Sequence, residues 1–228
     1  MTWATIFDLE GTLVQTPWED PEHVLEFRLQ TRRKLIELAI PPNILEGIER
    51  STLMRNKASE YVKRNFSKTD AQKFRQEMAE FLKEYELDAA RNSKLFPETL
   101  STLEELKKQE TKMGLVTNTS REAVGMVFQL HGLDEYFDVI ITREDVEKLK
   151  PDPEGTLLAI KRLCAKNFFM VGDLILDLLA AKNANGISII VKRNPEEEAH
   201  LQADYSVQTL SEVPSIVQNV MRNGNQRL

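Results

Sequence analysis

Phe7-Asp8-Leu9-Glu10-Gly11-Thr12-Leu13 decides how the rest of the chain is read. It closes the short apolar run that starts at Trp3 and sets two carboxylates two residues apart on a Gly-Thr turn. Two acids so placed, directly after a buried strand, can divide nucleophilic and general acid/base work between them. A strand end followed by an acidic turn is the plainer alternative, and an Asp-x-Glu by itself would favour it. The segments downstream decide between the two.

No strand pattern follows for some seventy residues. Asp20 and Pro21 have the chemistry of a helix start, and the pattern predicts a helix to about Ala39, stopped by Pro41-Pro42. Asn43 with Glu46, and Thr69 with Gln72, have the spacing of two further capping boxes. Phe74, Met78, Phe81, Leu82 and Tyr85 recur at helical spacing, which predicts bundle core. Residues 16–92 are therefore expected to form an inserted all-helical cap domain, with residues 1–15 and 93–228 as the core.

After Asn92 the chain alternates. Helices are expected over about Pro97–Gln109, after Thr119 (with Glu122 as a capping box) to Gly132, from Pro153, and up to Gly186. Between them stand the strand-like runs Met113–Thr117, Asp138–Thr142, Phe168–Val171 and Ile187–Val191. Short β-branched or aromatic runs between helices predict an α/β fold, a doubly wound parallel sheet with helices on both faces. With the five strands numbered along the chain, the expected order across the sheet is 5-4-1-2-3. The last residues, Asn223–Leu228, carry no core pattern and are expected to fray.

In an open parallel sheet ligands collect at the carboxyl ends of the strands. Three further segments carry reactive groups at such ends. Leu115-Val116-Thr117-Asn118-Thr119 offers a hydroxyl and backbone amides before a helix, a place that binds phosphate readily. Lys148-Leu149-Lys150-Pro151-Asp152-Pro153 is either a Pro-fixed turn or an ammonium held between a carboxylate and a phosphate. Gly172-Asp173-Leu174-Ile175-Leu176-Asp177 places two carboxylates on one side of a strand-to-helix junction. Each is weak alone. Their order is specific.

Asp-x-[Asp/Glu]-Gly-Thr, a strand ending in Thr, Lys-Pro, and Gly-Asp-x-x-x-Asp together resemble the motif set of the haloacid dehalogenase superfamily, from Trp3 to about Val191. The insertion after the first motif is similar to the C1-type cap of phosphoglycolate phosphatases, β-phosphoglucomutases and haloacid dehalogenases. Ala203-Asp204-Tyr205-Ser206 is similar to how such domains finish. The resemblance implies a Mg2+-dependent phosphatase that forms an aspartyl phosphate on Asp8, with Glu10 as general acid and base. It implies Thr117, the Asn118 amide and Lys150 as holders of the phosphoryl group. It implies metal ligation by Asp8, the backbone carbonyl of Glu10 and Asp173, with Asp177 as a support or further ligand. Cap residues supply specificity in such relatives, and Arg55, Asn56 and Lys57 are the candidates here, Arg55 first.

The resemblance is imperfect at two positions. Glu10 stands where the usual motif has Asp, although acireductone synthases (enolase-phosphatases) also carry Glu there. Leu174 stands where many relatives have Ser or Thr. A phosphosugar mutase would use the same residues. A dehalogenase needs neither the acid at position 10 nor the metal carboxylates. A degenerate domain would bind a phosphometabolite or partner without turnover.

Composition narrows the setting. With 228 residues, 41% hydrophobic and 29% charged, the chain can bury a substantial core. A formal net charge of −6 argues against broad nucleic-acid binding. From Trp18 to Arg91 fourteen acids balance fourteen bases, yet Arg50, Arg55, Lys57, Lys63 and Arg64 face only Glu49 and Glu60. That excess is either a solvated helix face or a surface that attracts a phosphorylated metabolite. The single cysteine, Cys164, forms no internal disulfide, and His23, His131 and His200 lack ligand spacing. No apolar run is long enough to span a bilayer, and Met1-Thr2-Trp3 leads directly into the first strand, so a cytoplasmic protein without a membrane partner is expected.

Overall fold

The computed structural model describes residues 2–17, 20–193 and 202–225. Six parallel strands form its main sheet: β1 (Trp3–Phe7), β4 (Lys112–Val116), β5 (Val139–Ile141), β6 (Asn167–Gly172), β7 (Ile187–Val191) and β8 (Tyr205–Val207). Across the sheet they run β5-β4-β1-β6-β7-β8, the expected order with one edge strand added at Tyr205. β1 lies at the centre, with Phe7 paired to Leu115 on one side and to Val171 on the other. Alternate residues of each central strand enter opposite layers, as strand geometry requires. Ile6 and Met170 join one apolar cluster with Val116 and Ala159, while Phe7, Phe169 and Val171 join another with Leu115 and Phe128. Both faces are thus buried, which is why these strands read as continuous apolar runs.

Helices α4 (Thr99–Lys108), α5 (Arg121–His131), α6 (Glu154–Leu163), α7 (Ile175–Asn183) and α8 (Val213–Asn225) flank the sheet. Gly132, at φ +68°, ends α5 as expected. α8 continues through Asn223, where fraying was expected, and Gln226–Leu228 and His200 lie outside the described residues.

The chain leaves and re-enters this core at one place. Strands β2 (Val14–Gln15) and β3 (Lys94–Leu95) form an antiparallel ladder in which Val14 pairs with Leu95 and Gln15 with Lys94. Between them stand α1 (Pro21–Glu37), α2 (Ser51–Asn65) and α3 (Lys68–Arg91), which enclose a separate apolar cluster around Leu35, Met54, Phe74, Met78 and Leu82. Asp20 caps α1 as expected, its side chain accepting from the Glu22 amide at 2.9 Å, with Pro21 in the first turn.

Three of the expected caps differ. Asn43 opens no helix: residues Pro42–Leu45 form a 3-10 turn, and α2 begins only at Ser51. The Arg32 guanidinium donates to the carbonyls of Leu45 (2.9 Å) and Ile48 (2.7 Å) and so ties this non-helical connection to α1. Ser67, not Thr69, caps α3, accepting from the Asp70 amide. Ser120, not Thr119, caps α5, accepting from the Ala123 amide. The last displacement by one residue frees Thr119 for other work.

Candidate active site

The reactive groups expected from the sequence gather at the carboxyl edge of the sheet. Asp8 follows β1, Thr117 follows β4, Lys150 lies on the connection after β5, and Asp173 follows β6. Together they line one crevice of about 440 Å³ with Glu10, Asn118, Asp177 and Arg55.

Lys150 is the electrostatic centre. Its side chain is 4% exposed, and its ammonium lies 2.7 Å from Asp8 Oδ1 and 2.6 Å from Asp177 Oδ1. Burial works against that charge, yet Asp177 and Asp8 outweigh it and hold the pKa above the ordinary lysine value. Burial pushes the Asp8 carboxyl up to about 6; Lys150 pulls it down and Asp177 adds repulsion. Asp173 is raised well above the usual carboxylate range, first by burial and then by Asp177 and Asp8. Three carboxylates share one ammonium, so the cluster lacks positive charge.

That deficit has the chemistry of a cation site. Asp8, Asp173 and Asp177 each offer an oxygen, and these atoms lie within 4.8 Å of one another. An all-oxygen donor set suits a hard divalent ion. The three acids are not equivalent. Asp177 spends Oδ1 on Lys150 and Oδ2 on the Leu174 amide at 3.1 Å. Asp173 accepts from Thr12 Oγ1 at 3.0 Å through Oδ1 alone. Asp8 and Asp173 are thus the better placed ligands, and Asp177 the holder of Lys150.

Two glycines make room for these acids. A Cβ on Gly11 would lie 2.3 Å from Asp173 Oδ2, and its φ of +76° also favours glycine. A Cβ on Gly172 would lie 2.3 Å from the Asp177 side chain.

The connection carrying Lys150 is gripped from two sides. Asn118 Oδ1 accepts from the Lys150 amide at 2.9 Å, and its Nδ2 donates to the Lys150 carbonyl at 3.4 Å. Asn56 of α2 treats the preceding residue alike: its Oδ1 accepts from the Leu149 amide at 3.0 Å and its Nδ2 donates to the Leu149 carbonyl at 2.9 Å. Thr117 Oγ1 accepts from the Thr119 amide at 3.3 Å. The freed Thr119 hydroxyl donates to Glu10 Oε2 at 2.9 Å.

From the helical insertion, Arg55 lines the crevice with Arg50, Thr52 and Phe27. Burial, then repulsion from Arg143, lowers the Arg55 pKa to about 10. Lys57, the third cap candidate, is exposed and pairs with Glu60 on its own helix at 3.5 Å, away from the crevice. Lys63 pairs with Glu147. The basic excess on α2 therefore divides, with Arg50 and Arg55 facing the crevice while Lys57 and Lys63 are paired elsewhere.

Sequence reasoning missed Thr12, Thr119 as the partner of Glu10, and the Glu86–Arg143 pair. Glu86 of α3 is buried, accepts from Arg143 and receives the Ser120 amide at 3.3 Å. A carboxylate at the core-facing end of an otherwise apolar helix stripe was the available signal.

A model of the haloacid dehalogenase-like hydrolase family matches residues 5–191. The chain belongs to that family. Among haloacid dehalogenase-like hydrolases it is similar to "Pyrophosphatase PpaX" of Bacillus cereus (strain B4264), 31% identical over 235 residues that cover 96% of this chain and 98% of the relative. It is also similar to a solved haloacid dehalogenase-like hydrolase from Bacteroides fragilis, with 28% identity, a TM-score of 0.64, and coverage of 93% of this chain and 100% of the other. A HAD phosphatase from Thermococcus onnurineus aligns with 29% identity and a TM-score of 0.58, over 95% of this chain and 98% of the other. The resemblance read from the four strand-end motifs is thus a family membership. Among the described residues, no helix is long and apolar enough to cross a membrane.

Proposed function

We propose that this chain is a Mg2+-dependent phosphatase acting on a small phosphorylated metabolite through a covalent aspartyl phosphate. The observation that carries the reading is the Asp8–Lys150–Asp177 chain with Asp173 beside it, a nucleophile, a charge neutraliser and a cation site within one buried cluster. Asp8, the Glu10 carbonyl and Asp173 would hold the ion, which supplies positive charge against the phosphoryl oxygens and lets two anions approach each other.

An Asp8 carboxylate oxygen attacks phosphorus. The new O–P bond forms as the bond to the leaving oxygen breaks, and Glu10 delivers its proton to that oxygen. Glu10, now a carboxylate, removes a proton from water, which attacks the same phosphorus, frees phosphate and restores Asp8. Thr117 Oγ1 and the Asn118 amide anchor phosphoryl oxygens, and Lys150 neutralises charge on both phosphate and nucleophile. Thr119 holds the longer Glu10 side chain at a fixed angle, which offsets the extra methylene relative to the usual Asp.

Residues 16–92 act as the cap and residues 1–15 with 93–228 as the core. The β2–β3 neck, the separate apolar cluster and the placement of Arg55 in the crevice support that division. Arg55 is the cap's contact to the substrate. Pyrophosphate, from the name of the Bacillus cereus relative, and phosphoglycolate, from the capped architecture, are the first substrates to assay. The free, exposed Cys164 is compatible with a reducing compartment, and the cytoplasm is the proposed location.

Asp8→Asn, nearly isosteric at a strand end, is expected to lower turnover of any accepted substrate by at least about 1,000-fold while the circular dichroism spectrum is unchanged. Treatment with EDTA should abolish turnover and added Mg2+ restore it. A phosphatase rate that survives either change refutes the mechanism.

A further inference from the structure

Beside the catalytic crevice, the helical insertion and the core flank a second, half-open chamber of about 500 Å³. Leu35, Met78 and Leu82 wall it from the helices, and Val146 and Leu149 from the core. α3 presents exposed Gln76 and Ala79 at its rim. Arg55 lines this chamber and the crevice alike, so its guanidinium stands at the partition between them.

The environment of Arg55 is unbalanced. Its Nη2 is buried and has no hydrogen-bond partner. Glu86, the buried acid nearby, is already bound to Arg143 and to the Ser120 amide. The acids at the chamber rim are engaged as well: Glu144 accepts from the Arg121 amide at 2.9 Å, and Glu147 pairs with Lys63 at 2.7 Å. Glu86, Glu144 and Glu10 lie close enough to attract this guanidinium, but its buried Nη2 makes no hydrogen bond and Arg143 repels it, an arrangement that is costly. A planar carboxylate would relieve that cost, because two parallel N–H···O bonds match its geometry.

We infer that the second chamber binds a small organic anion, one carboxylate on a compact apolar body, with the carboxylate paired to Arg55. Its volume falls in the range of small-molecule sites, and its apolar walls suit a ring or branched chain. The crevice has its own space of about 440 Å³, so a small phosphate ester does not need the chamber. Because Arg55 borders both spaces, the anion draws the guanidinium away from the crevice and weakens substrate binding. That second consequence rests on the reading of Arg55 as a substrate contact.

Benzoate and its neutral isostere benzamide are suitable probes, with binding to the full chain followed by ligand-observed NMR in phosphate-free buffer. Benzoate is expected to bind at least about tenfold more tightly than benzamide. Arg55→Gln should remove the preference. Ala79→Phe, which fills the chamber from an exposed helix position, should abolish benzoate binding with kcat unchanged, and Gln76→Phe provides a second block at the same rim. In the unmodified enzyme benzoate should raise KM and leave kcat alone, an effect lost in Ala79→Phe. Equal binding of benzoate and benzamide overturns the proposal. So does benzoate binding that survives both rim substitutions, since the anion then sits in the crevice. The NMR measurement needs no turnover, so it stands even if no phosphatase activity is found.

Discussion

At the sheet edge, Asp8, Lys150 and Asp177 are joined by contacts of 2.6 to 2.7 Å and are almost closed to solvent. The helical insertion meets that edge differently. Beside the buried contacts of Asn56 and Glu86, its polar links to the core include exposed pairs such as Lys63–Glu147 and Lys83–Glu122. Exposed pairs of this kind contribute only about 0–1 kcal/mol each. Buried charges that satisfy one another resist displacement, because losing one partner leaves the other uncompensated. The difference separates two requirements of a hydrolase: groups that must not move during the reaction, and a cover that must open for product to leave.

After Asp8 itself, the rigid side of this comparison is broken most severely at Glu10. Glu10→Gln is expected to lower kcat by roughly 100-fold, the usual scale for a lost general acid, while thermal stability stays close to that of the parent. Glu10→Asp should also be slower, since its shorter side chain falls away from Thr119 and the leaving oxygen. A rate for Asp equal to that for Glu would show that the site is not tuned to the longer acid.

The adjustable side has two firm contacts, Glu86 with Arg143 and Asn56 with Leu149, and Asn56→Ala removes the one that grips the connection carrying Lys150. Leu149 is buried, so its backbone amide and carbonyl lose partners that they cannot easily replace. The expected loss is about tenfold in kcat/KM, because the neighbouring Lys150 is held less firmly, with a stability cost of about 1–3 kcal/mol. Lys63→Ala, removing an exposed link, is the control that should change neither. Steady-state kinetics and thermal melts of the two variants decide whether Asn56 or the set of exposed pairs couples the two regions.

The smallest effect is a dependence on pH. Asp8 has its pKa raised from 3.8 to about 6 and Asp173 is raised as well, so in the metal-free protein both hold their protons to higher pH than free carboxylates do. The contribution of Asp8 to stability is complete below the unfolded-state value and is lost as pH rises through about 6, and that of Asp173 is likewise lost as pH rises through its own raised pKa. Mg2+ requires the carboxylates deprotonated and replaces the missing positive charge. The rise in Tm on adding Mg2+ should therefore be small near pH 5 and larger near pH 7.5. Equal shifts at both pH values would argue against a cation bound by these acids.

The sheet edge was the legible part of the sequence. Strand order, Asp8, Thr117, Lys150 and Asp173 were readable because parallel strands place their next residues on a common rim, so local spacing is converted directly into spatial convergence. The side chains that orient them were not. Thr12 reaches Asp173 across 161 positions and Thr119 reaches Glu10 across 109, distances over which no spacing rule operates. The caps at Asn43, Thr69 and Thr119 failed for a related reason. Several polar residues competed for each cap, and local spacing carries no trace of tertiary contacts such as that of Arg32 with Leu45 and Ile48. In the insertion, composition distinguished neither the two arginines that face the crevice from the lysines on the same helix, nor Asn56 from its neighbours.

The two-residue ladder of Val14 and Gln15 with Leu95 and Lys94 bears on how such a protein can change over generations. A chain that departs and returns through paired residues presents the core with the same boundary as a hairpin turn, whatever lies beyond it. Residues between the two strands can be lengthened, shortened or exchanged without altering the register of β1 or the spacing of the acids at its end. Selection can therefore rewrite what enters the crevice while inheriting, intact, the chemistry performed there.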